Sequence, residues 1–267
     1  TRLVREKVPY KEDTLGNKIY MFADFSDNEG NMLRMSSFNS LRQNLLESDI
    51  MRVIYGFGNA KKNIAVLSYN NEVDNFKGFK NILNEFYNVD YSDTNIVFIP
   101  EKYDATVLIN PQFYSSEFLL ALEQYVLNGG KLIIFMEPKL LNRSKSSPFI
   151  NFLKNYGITP IAQSTIKNKI DDIVTTLGAS VIDKDYSFIK ARSIIFNEAG
   201  NIEFKSSDNY KVSPILTHNN NTIAVHSSGR YISNFLNFIT EDSSVIPMSK
   251  TESDVYFFYD KSICYII

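Results

Sequence analysis

Apolar residues in this chain fall into short runs whose period changes along its length. From Ile19 to Phe38 they read as a β-hairpin: an apolar run Ile19 to Phe25, a turn Ser26-Asp27-Asn28-Glu29-Gly30, and a return through Met32, Leu33 and Met35. Ser40 and Gln43 then stand at capping-box spacing ahead of a helix whose stripe Leu41, Leu45, Leu46, Met51 and Ile54 is expected to face inward. Gly56 and Gly58 end that pattern, and the polar stretch after them puts a boundary at 58–62. Residues 1–60 are expected to form a small hairpin-and-helix segment, and residues 61–267 the main domain.

Past Asn63 strands alternate with helices. Ile64 to Leu67, Ile96 to Ile99 and Ala105 to Ile109 are continuous apolar runs, the kind found in strands covered on both faces. Val73, Phe76, Phe79, Leu83 and Phe86 mark a helix between the first two runs. Ser115 to Asn128 is a second helix, with Phe118, Leu119, Leu122, Tyr125 and Val126 inward and Gly129-Gly130 as its stop, and the strand Lys131 to Met136 follows at once. Ser147-Pro148 opens a third helix, closed by Gly157. This alternation predicts an α/β fold, an open, mostly parallel sheet with helices on both faces. An antiparallel, β-rich insertion is expected at about 160–220, after which Thr222 to Val225 and a helix from Gly229 to Ile239 resume the winding. The tail, Val255 to Tyr259 and Ile263 to Ile267, reads as a last hairpin.

In such a sheet ligands sit beyond the carboxyl ends of the strands, which selects Ser68, Asn70, Glu72, Asn110, Glu137, Ser227, Ser228 and Arg230 as a possible ligand or interface edge. Loops at strand ends are polar in any case, so the fold rule alone does not make these residues functional. Covalent catalysis needs a nucleophile on a tight strand-to-helix turn with a base in reach, and no G-x-S-x-G or G-x-C-x-G occurs. His226 and Ser227 are neighbours on extended backbone and point to opposite sides. Cys264 sits in an apolar run, as a buried hydrophobe does. No catalytic residue is assigned.

Metal and cofactor chemistry are equally poorly supplied. One cysteine allows neither an intrachain disulfide nor a cysteine-based zinc site, and His218 and His226 are too few for a histidine centre. Asp171, Asp172, Asp183 and Asp185 lack calcium-loop spacing and are read as a solvated loop. Gly56-Phe57-Gly58 follows a helix instead of a strand, which is the wrong place for a dinucleotide fingerprint. No cofactor and no metal are expected. The charge count, 28 Lys+Arg against 30 Asp+Glu over 267 residues, supplies no clustered positive excess for nucleic acid. No apolar stretch is long enough to cross a membrane, and a chain that opens on Thr1 and stops at Ile267 is expected to be a piece of a longer protein.

One stretch goes beyond generic α/β patterning. Tyr103-Asp104-Ala105-Thr106-Val107-Leu108-Ile109-Asn110-Pro111, then Ser115-Ser116-Glu117, then Glu123-Gln124-Tyr125 through Gly129-Gly130-Lys131 to Met136-Glu137-Pro138, resembles the GldG-like auxiliary subunits of ABC transporters, a family associated with gliding motility. Lys61-Lys62-Asn63 with the strand after it, and Asn155-Tyr156-Gly157-Ile158, are similar to further family features; the resemblance spans about residues 15–240. It implies a fold like class I glutamine amidotransferases and flavodoxins, without the amidotransferase nucleophile. It also implies a non-catalytic, extracytoplasmic (periplasmic) binding or scaffolding domain, whose partners are the transporter's membrane and ATPase subunits and whose membrane anchor lies outside this chain. Two departures weaken any shared polar edge: Ser68-Tyr69-Asn70-Asn71-Glu72 keeps only the Ser and Glu of the family's S-G-H-G-E, and Val225 to Asn234 lacks the family's acid. The alternatives are a degenerate hydrolase or amidotransferase-like enzyme at the strand edge, and a soluble nucleotide- or sugar-binding domain.

Overall fold

The computed structural model describes residues 10–20, 22–35, 46–57, 60–69, 73–74, 76–111, 115–141, 148–170, 173–175, 177–183, 193–233, 248–249 and 251–260. The chain divides into two compact units, Thr1–Lys61 and Lys62–Ile267.

The first unit holds two hairpins, β1 (Lys11–Glu12) with β2 (Lys18–Ile19) and β3 (Ala23–Ser26) with β4 (Met32–Met35), followed by helix α1 (Leu46–Gly56). Both turns use the same chemistry, D-x-x-G-N. Asp27 Oδ1 accepts from the backbone N–H groups of Glu29 and Asn31, Asn31 Nδ2 donates to Asp27 Oδ2, and Asp13 and Asn17 repeat the pattern. Among the described side chains of α1, Asp49 and Val53 are buried, while Met51 and Ile54 are exposed. The expected stripe is therefore out of phase at these positions: Val53 is buried where Met51 and Ile54 are expected to be. Ser40, Gln43 and Leu41 lie outside the described residues.

The second unit runs β5 (Asn63–Ser68), α2 (Lys77–Phe86), β6 (Asn88–Ser92), β7 (Ala105–Ile109), α3 (Ser116–Leu127), β8 (Lys131–Phe135), α4 (Pro138–Leu141) and α5 (Pro148–Lys154). It continues through β9 (Ile158–Thr165), β10 (Asn168–Ile170), β11 (Ile173–Thr175), β12 (Leu177–Ile182), β13 (Ser193–Asn197), β14 (Gly200–Phe204), β15 (Tyr210–His218), β16 (Asn221–Gly229) and β17 (Ser253–Phe258). Nine of these strands form one mixed sheet, ordered β13-β12-β15-β16-β17-β8-β7-β5-β6. The five from β17 to β6 are mutually parallel, and the other four alternate in direction. Taken in chain order the parallel strands stand 2-1-3-4-5, a common doubly wound arrangement.

Helices cover both faces. Phe118, Leu122 and Val126 of α3 and Phe149, Phe152 and Leu153 of α5 pack with Leu108, Leu132, Ile134 and Phe257. On the other face Phe76, Phe79 and Leu83 meet Val66, Val107 and Phe135. Helix α3 starts where its cap chemistry puts it: Ser115 Oγ accepts from the Phe118 N–H at 3.1 Å, and Gly129, at φ +95°, ends the helix by donating to the Val126 carbonyl.

Three expectations are corrected here. The second parallel strand is Asn88–Ser92, not Ile96 to Ile99; an edge strand buries one row, so an alternating polar sequence suits it. In the stretch read as a strand, Ile99 is buried, but Val97 and Phe98 are 76% and 67% exposed. Thr222 to Val225 belongs to β16, which runs antiparallel to β15 and β17, and Gly229 ends that strand instead of starting a helix; residues 234–247 lie outside the described set. Val255 to Phe258 lies inside the sheet, as the joint between its parallel and antiparallel halves, and residues 263–267 are outside the described set.

Candidate functional site

The parallel strands β5, β7 and β8 bring Ser68, Asn110 and Glu137 to one edge of the sheet. Ser68 pairs in register with Ile109, and Ile109 with Phe135, so the next residues along the chain form the rim. Asn110 is fully buried, takes a left-handed backbone (φ +44°), and donates its N–H to the Phe135 carbonyl at 2.8 Å. Its Oδ1 accepts from the Glu137 N–H at 2.8 Å, which ties the end of β7 to the turn entering α4. Ser68 is also fully buried, and its Oγ accepts from the Val73 N–H at 3.3 Å. The side chains of Ser68 and Asn110 hold loops in place; neither opens to solvent as a reactive group. Asn70 and Glu72 lie outside the described residues.

Ser227, Ser228 and Arg230 sit at the opposite edge. Because β16 runs antiparallel, Ser227 pairs with Val255 and Ser228 with Asp254, level with Leu132 and the start of β8. The six described residues of that selection therefore fall at two edges and do not converge. Ser227 is buried beneath Tyr231, whose hydroxyl donates to its Oγ at 3.1 Å. His226 faces the other side of the sheet, where Nε2 donates to Asp254 Oδ1 at 2.9 Å and the imidazole lies flat on the Tyr256 ring, with centroids 4.2 Å apart. Lys131 Nζ stands 3.5 Å from Asp254 Oδ2. Burial pushes the Asp254 carboxyl up, but hydrogen bonds from His226 and Ser228, with the charges of His226 and Lys131, outweigh that and hold it below the usual carboxylate range.

Two polar features gave no sequence signal. Glu123 lies in an otherwise apolar face of α3, 1% exposed, and accepts from Ser233 Oγ at 2.5 Å. A solvent-open groove of about 470 Å³ runs between the end of α5 and the 205–210 turn, with Lys154, Lys205 and Tyr210 in its walls. The lysines are scattered in sequence, so only the folded chain juxtaposes them. Among the described residues no three His, Cys, Asp or Glu side chains come together to hold a metal ion, and no helix is long and apolar enough to cross a membrane.

The fold and its edge define an α/β protein of doubly wound type with a mixed sheet. Residues 61–170, from two residues before β5 to the end of β10, match the family described as an ABC-type uncharacterized transport system, which supports an ABC-transporter auxiliary family for this part of the chain. No curated protein matches the chain. Among solved structures, the N-terminal domain of mmIFT52 is similar over 76% of this chain and 87% of that one, at 12% identity and a TM-score of 0.53; a likeness at that identity concerns the fold alone. A ThuA-like protein from Bacteroides uniformis ATCC 8492 covers 77% of this chain and 84% of its own at 12% identity, with a TM-score of 0.47. The cold-adapted β-galactosidase from Rahnella sp. R3 covers 82% of this chain at 9% identity and a TM-score of 0.49, and this chain spans about a third (32%) of that enzyme.

Proposed function

We propose that the chain is a non-catalytic domain of an ABC-transport system, one that binds or scaffolds the transporter's membrane and ATPase subunits. The observation that carries this reading is the family match over residues 61–170, which includes the whole β7-α3-β8 unit from Ala105 to Phe135. In this reading the chain is GldG-like, with an amidotransferase-like sheet lacking the nucleophile. It stands on the periplasmic face, held to the membrane by segments outside the sequence in hand. The hairpin-and-helix segment, residues 1–60, acts as a module of its own. The rim at Ser68, Asn110 and Glu137 serves as a docking edge; its buried hydroxyl and amide already hold loop backbone, which suits a rigid surface better than a reactive one.

The test is co-purification. The full-length protein, tagged and extracted from membranes in mild detergent, is expected to bring down a transporter's membrane subunit and ATPase in stoichiometric amounts. Protease added to intact spheroplasts should cut this domain. Clean absence of both subunits, or protection from external protease, counts against the proposal.

A further inference from the structure

The groove at the end of α5 is built, not incidental. Gly157 forms part of its wall at φ +73°; a Cβ there would stand 2.2 Å from the Lys205 carbonyl oxygen and 2.7 Å from the Tyr210 ring. On the other side a Cβ at Gly229 (φ +151°) would stand 2.4 Å from the Asn209 carbonyl oxygen and 2.5 Å from Tyr210 Cα. The turn carrying Lys205 and Tyr210 is thus clamped between two positions that only glycine fills. Hydrogen bonds fix it further: Lys205 N–H to the Gly157 carbonyl at 2.9 Å, Ser207 N–H to the Tyr210 carbonyl at 3.0 Å, and Arg230 N–H to the Asn209 carbonyl at 2.9 Å. Behind it, Tyr210 begins a run of ring contacts through Tyr231 and Tyr156 to Phe152, at centroid distances of 5.4, 4.7 and 5.0 Å, which anchors its ring in the core.

The groups facing this preformed space are polar and available. Lys154 and Lys205 are exposed and in no ion pair among the described residues, and Glu203 is likewise unpaired. Ser207 Oγ accepts from the Asn209 N–H at 3.2 Å, which leaves its own O–H to donate outward. Thr159 faces Glu203 across the β9-β14 pair and adds a second hydroxyl on the same side. Two ammonium groups and two hydroxyls make a donor-rich wall for an oxyanion, and the single carboxylate supplies an acceptor for ligand hydroxyls. At about 470 Å³ the space is in the range of small-molecule sites.

We propose that this groove binds a small anionic carbohydrate, its acid group held by Lys154 and Lys205 and its hydroxyls by Glu203, Ser207 and Thr159. The ligand's carboxylate or phosphate supplies the charge that the lysines lack, and the clamped turn keeps the ordering cost of binding low.

Isothermal titration of the purified chain with glucuronate, glucose 6-phosphate, glucose and inorganic phosphate tests this. Saturable binding of glucuronate or glucose 6-phosphate is expected, about tenfold or more tighter than glucose or inorganic phosphate. Which of the two acid sugars binds better tells a carboxylate ligand from a phosphate one, and either supports the groove. The Lys154→Gln/Lys205→Gln double variant should lose at least about tenfold in affinity with an unchanged melting temperature, since both side chains are exposed and unpaired. Glu203→Gln should weaken the sugar acids and leave inorganic phosphate unmoved. No saturable binding of either acid sugar at about 10 mM overturns the proposal. So does equal binding by the double variant, and so does inorganic phosphate or glucose binding as tightly as the acid sugars.

Discussion

Asn110 and Glu137, 27 residues apart, are joined by one hydrogen bond: the Asn110 amide oxygen accepts from the Glu137 backbone N–H at 2.8 Å. Asn110 tolerates the left-handed backbone that places its side chain there (φ +44°), which few other residues do without strain. Two consequences separate. Asn110→Gly keeps the backbone and loses the hydrogen bond; Asn110→Ala loses the bond and adds strain in a fully buried position. The glycine variant should cost about 1–3 kcal/mol and the alanine variant about 1 kcal/mol more, read as urea midpoints at constant slope. Equal stability of both variants and wild type would show that the rim is not held by this contact.

Gly130 and Gly78 should respond to alanine with opposite signs. A Cβ at Gly130 would stand 2.4 Å from Tyr125 Cζ, a ring packed in the core, so Gly130→Ala should cost roughly 1–3 kcal/mol. Gly78 lies in α2 with nothing within 4 Å of an added Cβ, so Gly78→Ala should stabilise by about 0.5–1 kcal/mol. Denaturant midpoints of the two single variants decide it.

The parallel half of the sheet is readable from the sequence because its strands are buried on both faces and say so: Val66, Leu108, Leu132 and Ile134 are fully buried, and each run is set off by helix caps such as Ser115 and Gly129. Direction is not written into such a run. Ile223 to Val225 and Val255 to Phe257 have the same apolar character whichever way the strand points, and the reversal of β16 alone moves Ser227, Ser228 and Arg230 to the far edge. The turns of the first unit had a usable signal, the repeated D-x-x-G-N at Asp13 and Asp27. The groove had none, since Lys154 and Lys205 meet only through the β9-β14 pairing.

The segment after β6 offers a direct check on which residues build the sheet. Phe98 is 67% exposed and Ile99 4%. Phe98→Ser should change stability by less than about 0.5 kcal/mol, while Ile99→Ala should cost about 2–5 kcal/mol. A buried strand over residues 96–99 would make both changes expensive, so comparable losses at the two positions would return that strand to the sheet.

Asp254 gives the pH dependence its sign. Its carboxyl is held below the usual range in the folded protein, because the hydrogen bonds of His226 and Ser228 and the charges of His226 and Lys131 outweigh the upward push of burial. A group with a depressed folded pKa contributes stability that is present above its unfolded value, about 3.9, and is lost as pH falls through the folded one. At about pH 7 wild type should therefore be more stable than Asp254→Asn, and the gap should close as pH falls below about 4. Urea midpoints of the pair across that range show it. Lys131→Gln should have a smaller effect at every pH, since its ammonium is 3.5 Å away and 57% exposed, where solvent screens the pair. A gap between wild type and Asp254→Asn that stays constant from about pH 7 to about pH 3 would assign the loss to packing against His226 and not to the charge.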